Sequence, residues 1–597
     1  MSHYIEGSAQ QRNISVYPFN PSGHGAVDLE YRFQWTAPLA TSPHDPKVLY
    51  HGANVLFRTR DRGVTWEKIS PDLTRDDKTK QQWSGGPITG DNTGVEVYDT
   101  IFAIAESPLA AGTIWAGSDD GLVSITRDDG ANWSAVTPPG LPAWAKVECI
   151  APSAHAAGGA WVAADAHWSD DLHPYLFHTS DFGRSWARMG KGLPDDSPVL
   201  TVREDPVDAS FVYIGTEHGV YISRDSGASF EPLKLNLPAV AVTDIETRHG
   251  DLVLGTRGRG IWVLEDLAAL REATPAARNS PLQLFSSQPA YRFRNESRWS
   301  REGGLKDPPI GVQISYWLKS KPAGDLSLEI LDAQGRKVRT LSSVAKKAQY
   351  EADDPDQPTE APEPELTGDA GFNRVVWDLR HDGARRLEKA KLDSGEPEVG
   401  PMVVPGRYTL KLMVGAPGSQ QLTASRDIDV LADPRADVSE ADIRASVDFT
   451  LAVRDAMDRT LDAIENVRAA REQADELGAR LAQDGTQADL IAQAAALSKR
   501  CEDIEARLHN PRAEVVYDIL AQEGGAQLYS QLSFLYSATG AASSDYPPPQ
   551  GSRKRLAALD AEVAALNGEV QALRTNQIAQ LEGALNAKGI PRILLPH

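Results

Sequence analysis

The sequence predicts a mainly β fold: a β-propeller of repeated small sheets, followed by a β-sandwich and a C-terminal bundle of α-helices. A loop motif recurs four times in the first half, apolar residues alternate with polar ones in the middle, and apolar residues recur every three or four positions near the C-terminus. Because 597 residues exceed what one hydrophobic core holds, we expect several domains. These are a partial blade at 1–30, the propeller at 31–280, the sandwich at 281–435 and the helices at 436–597.

Charge and composition exclude several classes of protein. A formal net charge of −22 disfavours a nucleic-acid partner, because phosphate binding depends on clustered Lys and Arg. The two cysteines, Cys149 and Cys501, lie far apart and predict neither a disulfide nor a cysteine-based metal site. No run of about 18 apolar residues predicts a membrane span, and the first residues have no apolar signal-peptide core. We therefore expect a soluble protein with no export signal in this sequence.

The recurring loop motif has the form Ser/Thr-x-Asp-x-Gly-x-x-aromatic and is an Asp-box. In such a hairpin the carboxylate accepts local backbone N–H groups, the glycine takes a positive φ, and we expect the aromatic ring to pack under the turn. We therefore assign Asp61, Asp128, Asp181 and Asp225 a structural role. The four copies are Thr59-x-Asp61-x-Gly63-x-x-Trp66, Thr126-x-Asp128-x-Gly130-x-x-Trp133, Thr179-x-Asp181-x-Gly183-x-x-Trp186 and Ser223-x-Asp225-x-Gly227-x-x-Phe230.

Strand pairs precede each Asp-box, and a fifth unit at residues 251–266 keeps the strands without the box. Five blades are therefore expected between about Tyr31 and Asp266, with one long insertion at Ser70–Asp99. The segment RNISVYPFN, residues 12–20, is typical of the outer strand of a blade whose other strands are missing. Either a separate polypeptide supplies an N-terminal half of the propeller, or the five blades close into a ring alone.

Several longer segments extend this pattern: SPHDPKVLYHGANVLFRTRDRGVTWEKISPDLT, GGPITGDNTGVEVYDTIFAIAESP, WAGSDDGLV, REDPVDASFVYIGTEHGVYISRD and GTRGRGIWVLED. Together they resemble the bacterial family of BNR-repeat, sortilin-like glycosyl hydrolases over nearly the whole chain. The resemblance implies an Asp-box propeller followed by an immunoglobulin-like domain and helices, in an exported protein that acts in the periplasm or outside the cell. It implies no cofactor, and fold alone does not prove an activity.

Two functions from different classes remain open at this point. The first is a glycoside hydrolase-like or glycan-binding protein that acts on polysaccharide. The second is a non-catalytic, sortilin-like scaffold that binds peptides or proteins, and either one combines with the role of one half of a two-chain propeller. The sequence shows no Arg-Ile-Pro motif, which disfavours a sialidase.

The rim opposite the Asp-boxes, above the central channel, is where a propeller normally binds its ligand. Carboxylates, histidines, arginines and aromatic rings are the groups that a polar ligand or a sugar ring requires. For ligand binding, we expect this rim to contribute Trp83, Asn92, Tyr98, His167, Glu217, His218, Arg257 and Arg259.

An inverting glycosidase also needs two carboxyl groups, one to donate a proton and one to activate water. Asp91 or Glu96 facing Asp119 or Asp170 would meet this requirement for an inverting enzyme. The bland alternative is that such residues are hairpin-turn residues selected for backbone geometry. His167, Asp170, Asp171 and His173 could ligate a metal, but their spacing matches no zinc motif and favours a solvated polar loop, so no metal is predicted.

Downstream of the propeller, alternating segments predict a small sandwich that resembles an immunoglobulin-like domain, with an acidic, proline-rich loop at 351–369. A capping box, Ser439-x-x-Asp442, begins the helical region. Spacings of three and four there predict coiled-coil packing, with Cys501 as a buried residue of the seam. The helices either form their own bundle or leave a face for a second subunit. Their seam residues are Met457, Leu461, Ile464, Val467, Leu490, Ala494, Leu497, Cys501, Ile504, Leu508, Leu559, Val563, Leu566, Val570 and Leu573.

Overall fold

A computed structural model describes residues 1–294, 309–345, 365–387, 390, 392, 394–415, 421–484, 487–513, 524–538 and 544–590. The chain divides into two compact units, Met1–Leu267 (unit 1) and Ala268–His597 (unit 2). Most of the acidic, proline-rich loop expected at 351–369 lies outside the described residues. In the part of the chain that is described, no helix is long and apolar enough to cross a membrane.

Unit 1 is built from short antiparallel strands, with single 3₁₀ turns at Ala26–Asp28 and His167–Ser169. Its strands are β1 (Ser2–Ile5), β2 (Gln10–Asn13), β3 (Leu39–Thr41), β4 (Leu49–Gly52), β5 (Leu56–Thr59), β6 (Glu67–Lys68), β7 (Ile101–Glu106), β8 (Ile114–Ser118), β9 (Val123–Thr126), β10 (Ser134–Ala135), β11 (Lys146–Pro152), β12 (Ala160–Ala166), β13 (Asp171–Thr179), β14 (Ala187–Met189), β15 (Val199–Glu204), β16 (Val212–Thr216), β17 (Gly219–Ser223), β18 (Glu231–Pro232), β19 (Val242–Arg248), β20 (Asp251–Thr256) and β21 (Ile261–Leu264).

After the β1–β2 hairpin, five sheets follow one another along the chain, each with its strands in sequence order. The first four sheets have four strands, β3–β6, β7–β10, β11–β14 and β15–β18, and the fifth has three, β19–β21. Each sheet shares an apolar core with the next, as the side chains of Trp115 and Val162 show for the second and third. Glycines in the second strands permit this close packing, because a Cβ on Gly117 would lie 2.4 Å from Val147 Cγ1. The arrangement is a propeller-like series of small antiparallel sheets.

The four repeated turns form the same hydrogen bonds. In the first, Asp61 Oδ1 accepts the backbone N–H groups of Val64 and Thr65 at 2.9 Å, and the Thr59 hydroxyl accepts the N–H of Gly63 at 2.9 Å. These donors hold the pKa of Asp61 at about 2, the backbone bond from Thr65 contributing most. The tryptophan of the motif also bonds to a segment outside its own turn: the indole N–H of Trp66 donates to Ile14 O at 3.0 Å. The carboxylates therefore fix the turns that join the third and outer strands.

In the described part of unit 2, two short helices precede ten strands, eight of which form two main sheets. The sheets β22–β24–β27 and β23–β31–β30–β25–β26 enclose one core that contains Trp377 and Tyr408, and β28–β29 form a small third sheet. The elements are α1 (Ala268–Glu272), α2 (Pro275–Asn279), β22 (Leu282–Leu284), β23 (Ala290–Arg292), β24 (Val312–Leu318), β25 (Leu326–Leu331), β26 (Lys337–Ser342), β27 (Gly371–Trp377), β28 (Arg380–Asp382), β29 (Val399–Met402), β30 (Gly406–Val414) and β31 (Leu422–Ala432).

Long helices complete unit 2. Ser439 caps the first of them, its hydroxyl accepting the Asp442 N–H at 3.2 Å and donating to the Asp442 carboxylate at 2.7 Å. All the seam residues named from the sequence are buried, and they share one core. The helices are α3 (Glu440–Asp484), α4 (Ala488–Leu508), α5 (Leu528–Ala538), α6 (Gln550–Ala572) and α7 (Ala579–Ala587), the last two joined by a π-helical turn at Leu573–Ile578.

Candidate ligand-binding groove

The first strands of all five sheets of unit 1 line one groove of about 1820 Å³. These are β3, β7, β11, β15 and β19. The long insertion and the connections beside β11 and β12 add Lys80, Tyr98, Trp144 and Trp168 to its wall. Within the described residues, no member of the four repeated turns lines this groove. This groove is therefore built from inner strands and from connections away from those turns.

Charged side chains of both signs stand along the inner strands. Lys146 Nζ lies 2.6 Å from a Glu148 carboxylate oxygen, and Arg203 donates to the Glu246 carboxylate at 2.7 Å. The Lys146 ammonium also lies 4.6 Å from the centre of the Phe102 ring. Burial raises the pKa of Glu148, and the neighbouring Lys146 opposes that rise in part. The groove thus offers fixed donors and acceptors to a polar ligand.

Aromatic side chains form part of the same wall. The Trp144 ring stacks on Tyr98 with centroids 5.9 Å apart and an angle of 27°, and the Tyr98 hydroxyl donates to Trp144 O at 3.3 Å. The Lys80 ammonium lies 4.6 Å from the centre of the Trp144 ring. Trp144 has a φ of +71°, which bulky residues rarely adopt, so its backbone is strained to hold this position. Trp168 is 79% exposed at the groove, and its ring lies against the His167 ring with centroids 4.7 Å apart.

A buried carboxyl group, Asp119, also lines the groove. It accepts the Thr100 N–H at 2.8 Å and the Thr100 hydroxyl at 2.7 Å. Burial raises its pKa to about 7, the Thr100 bonds opposing the rise and the charges of Asp120 and Asp99 adding to it. Burial also raises the pKa of Asp120. At neutral pH, Asp119 can therefore exist with or without its proton, as a general acid requires.

The other three predicted catalytic residues do not line the groove. Glu96 accepts the indole N–H of Trp35 at 2.9 Å and the Thr93 hydroxyl, and these bonds, the Thr93 bond foremost, lower its pKa. Asp170 ends the 3₁₀ turn with a φ of +59°. Asp91 is exposed in the insertion, and its carbonyl accepts the Ser84 hydroxyl at 2.6 Å. Of the four carboxyl groups, only Asp119 lies in the wall of the cavity.

Of the eight predicted ligand-binding residues, three lie in the groove or at its edge. Tyr98 and Arg257 line the groove, and Arg257 forms an ion pair of 3.1 Å with Glu217, which brings that residue to its edge. The remaining five lie elsewhere in unit 1. Their contacts are Trp83 beside Gly90, Asn92 with Ser84, His167 with Asp165, the His218 N–H with the Thr216 hydroxyl, and the Arg259 carbonyl with the indole of Trp262.

The sequence interpretation missed the groups on the inner strands: Lys146, Glu148, Arg203, Glu204 and Glu246. A signal was present for two of the strands, because β11 and β15 carry charged residues within or beside runs that are mostly apolar. A charged residue that alternates with buried ones on the innermost strand faces the channel. Among the described residues, no cluster of three His, Cys, Asp or Glu side chains could hold a metal ion.

No family model and no curated protein matches the sequence. Among solved structures, the chain is similar to the GH74 xyloglucanase from Xanthomonas campestris, with 12% identity and a TM-score of 0.31 over 65% of this chain and 70% of that one. An ancestral GH74 enzyme matches with 13% identity and a TM-score of 0.28, over 58% and 44% of the two chains. YCF48, solved with a bound D1 peptide, matches with 17% identity and a TM-score of 0.27, over 40% and 68%. With similarity this low, function has to be argued from the groove itself.

Proposed function

We propose that unit 1 is an Asp-box propeller that binds a polysaccharide chain in the groove and acts on it as a glycoside hydrolase. The observation that carries this proposal is the groove: about 1820 Å³, lined by five strands and by aromatic rings. Pockets for small molecules usually measure about 300–1,000 Å³, so this one suits an extended polymer. The proposal includes the expected immunoglobulin-like sandwich in unit 2 and an extracytoplasmic location.

The lining suits sugar rings in particular. Trp168 is 79% exposed, and such a flat apolar face binds the C–H groups of a pyranose ring while the hydroxyls point to the sides. The ion pairs Lys146–Glu148 and Arg203–Glu246 provide donors and acceptors for those hydroxyls.

In the hydrolytic step, Asp119 would be the general acid, because its pKa of about 7 keeps a proton available at neutral pH. The second carboxylate would come from the groove wall or from one of the candidate residues outside it. Glu148 is the wall candidate, and Asp91, Glu96 and Asp170 are the candidates from the sequence. Loss of proton transfer should lower kcat by about 10²–10⁴-fold.

The test is a binding and hydrolysis screen of the purified chain against soluble plant and bacterial polysaccharides. We expect Trp168→Ala to weaken binding by about two- to tenfold, since stacking on one ring contributes about 0.5–1.5 kcal/mol. Leu172→Ala is the matched control, because Leu172 is 46% exposed nearby and does not line the groove. Binding of extended peptides with no binding of any polysaccharide would instead favour the scaffold function.

A further inference from the structure

The N-terminal hairpin β1–β2 corresponds to the third and outer strands of a four-stranded sheet such as those that follow it. In the first, second and fourth sheets, the residue after the outer strand donates its N–H to a carbonyl near the start of the third strand. The bonds are Ile69 to Leu56 (2.9 Å), Val136 to Val123 (2.8 Å) and Leu233 to Val220 (2.9 Å). Ile14, the residue after β2, makes the same bond to Met1 at 3.1 Å.

The tryptophans of the repeated turns support this equivalence independently. Trp133 donates its indole N–H to Ile69 O at 2.8 Å, and Trp186 donates to Val136 O at 2.8 Å. Trp66 donates in the same way to Ile14 O at 3.0 Å. Each acceptor follows the outer strand of the preceding sheet. The hairpin β1–β2 is therefore the outer half of a further sheet that precedes the first.

The strands β1 and β21 consequently differ from the third strands of the complete sheets. Among the described residues, β5, β9, β13 and β17 each pair with two strands, whereas β1 pairs only with β2 and β21 only with β20. Thr256 N donates to Gly260 O, and hydrogen-bonded pairs alternate with non-hydrogen-bonded pairs along the β20–β21 ladder. The N–H and C=O groups of Ile261 and Val263 therefore point away from β20. The bond from Ile14 N to Met1 O likewise directs those of Ser2 and Tyr4 away from β2.

These two edges are complementary in an antiparallel register that places Ile261 opposite Tyr4 and Val263 opposite Ser2. Ile261 is 75% exposed, Val263 52% and Tyr4 61%, so this pairing covers apolar surface that water now contacts. The same register places Trp262 opposite His3. Just beyond the two strands, in the adjoining turns, the exposed Arg259 and the exposed Glu6 bring opposite charges to the same end of this pairing.

We propose that the edge of β21 binds β1 of a second copy of this chain. With twofold symmetry, β21 of each copy pairs with β1 of the other, so both free edges of both copies are covered and the assembly closes as a dimer. Within the described residues of a single copy, these edges are unpaired. The pairing joins a three-stranded and a two-stranded sheet into one sheet of five strands.

Sedimentation or light scattering on the full chain without an N-terminal tag tests this proposal. We expect a mass about twice 64.7 kDa at micromolar concentration. Val263→Pro removes the outward-facing N–H and keeps every β20–β21 hydrogen bond, since proline is tolerated at a strand edge in that position. We expect this variant to dimerise at least about tenfold more weakly.

The matched control is Val263→Thr, which keeps the outward N–H and a β-branched side chain and should remain dimeric. The register is tested by charge reversal: Glu6→Arg and Arg259→Glu should each weaken the dimer, and the double variant should restore it. A monomeric wild-type chain would overturn the proposal, whether β1 and β21 pair within one copy or not at all. A dimer that Val263→Pro leaves intact would overturn it as well, because the interface would then lie elsewhere.

Discussion

Replacement of Asp119 by asparagine tests whether burial holds a proton on this carboxyl group in the folded protein. Burial raises the pKa of Asp119 from its ordinary 3.8 to about 7, so between these values the folded chain binds a proton that the unfolded chain has lost. Stability from this group is therefore full below about pH 4 and is lost as the pH rises to about 7. At about 1.36 kcal/mol for each pH unit, the change between pH 4.5 and pH 8 is about 3 kcal/mol.

The measurement is urea unfolding at about pH 4.5 and about pH 8, monitored by tryptophan fluorescence. This signal reports on unit 1, which contains most of the tryptophans. Asp119→Asn keeps a side chain of the same shape that cannot ionise, so the pH dependence should decrease by about 3 kcal/mol relative to the wild type. Asp170→Asn, an exposed carboxylate outside the groove, is the control and should leave the slope unchanged. If Asp119→Asn unfolds with the same pH dependence as the wild type, Asp119 is ionised throughout and the argument for its acid role is wrong.

Two further predictions concern the helices of unit 2. Burial acts to raise the pKa of Glu505, but hydrogen bonds from His509 and Arg468 together outweigh it and hold the pKa at about 2. The contribution of Glu505 to the free energy of unfolding is therefore present above about pH 4.5 and is lost as the pH falls toward 2. Glu505→Gln should lower the free energy of unfolding by about 3 kcal/mol at pH 7 and leave it unchanged near pH 2 in the same assay. An equal decrease at both pH values would contradict this. Burial raises the pKa of the Cys501 thiol to about 11, so a thiol reagent at pH 8 should modify it only on unfolding, whereas rapid modification of the native chain at Cys501 would show that the helix seam opens.

The sheets and the helix seam could be anticipated from the sequence because local patterns determine them. A turn needs Thr, Asp and Gly at fixed spacing, and the Thr59–Asp61–Gly63 bonds close within five residues. A buried helix face needs an apolar residue at every third or fourth position, and Leu497 and Ile504 meet that need without reference to the rest of the chain. Neither inference requires knowledge of which sheets are neighbours in space.

The groove could be anticipated only in part, because five separate segments build it. Asp119 and Tyr98 were found because they lie next to strand ends that carry visible polar residues. Glu148 and Arg203 were missed because they lie within strands, where the surrounding residues predict burial. Whether such a position faces a core or a channel depends on the packing of neighbouring sheets, which no single segment encodes.

Separate aspartates of unit 1 hold the repeated turns and line the groove. The carboxylates of Asp61 and its three counterparts are satisfied by their own turns, which keeps their pKa values low and leaves them no capacity for proton transfer at neutral pH. Asp119 accepts two hydrogen bonds from Thr100, one of them from its backbone N–H, yet its pKa rises because the carboxyl group is buried. The same residue type thus serves two purposes, and burial decides which one. A turn aspartate would become a candidate acid only where its carboxyl group was buried as deeply as that of Asp119.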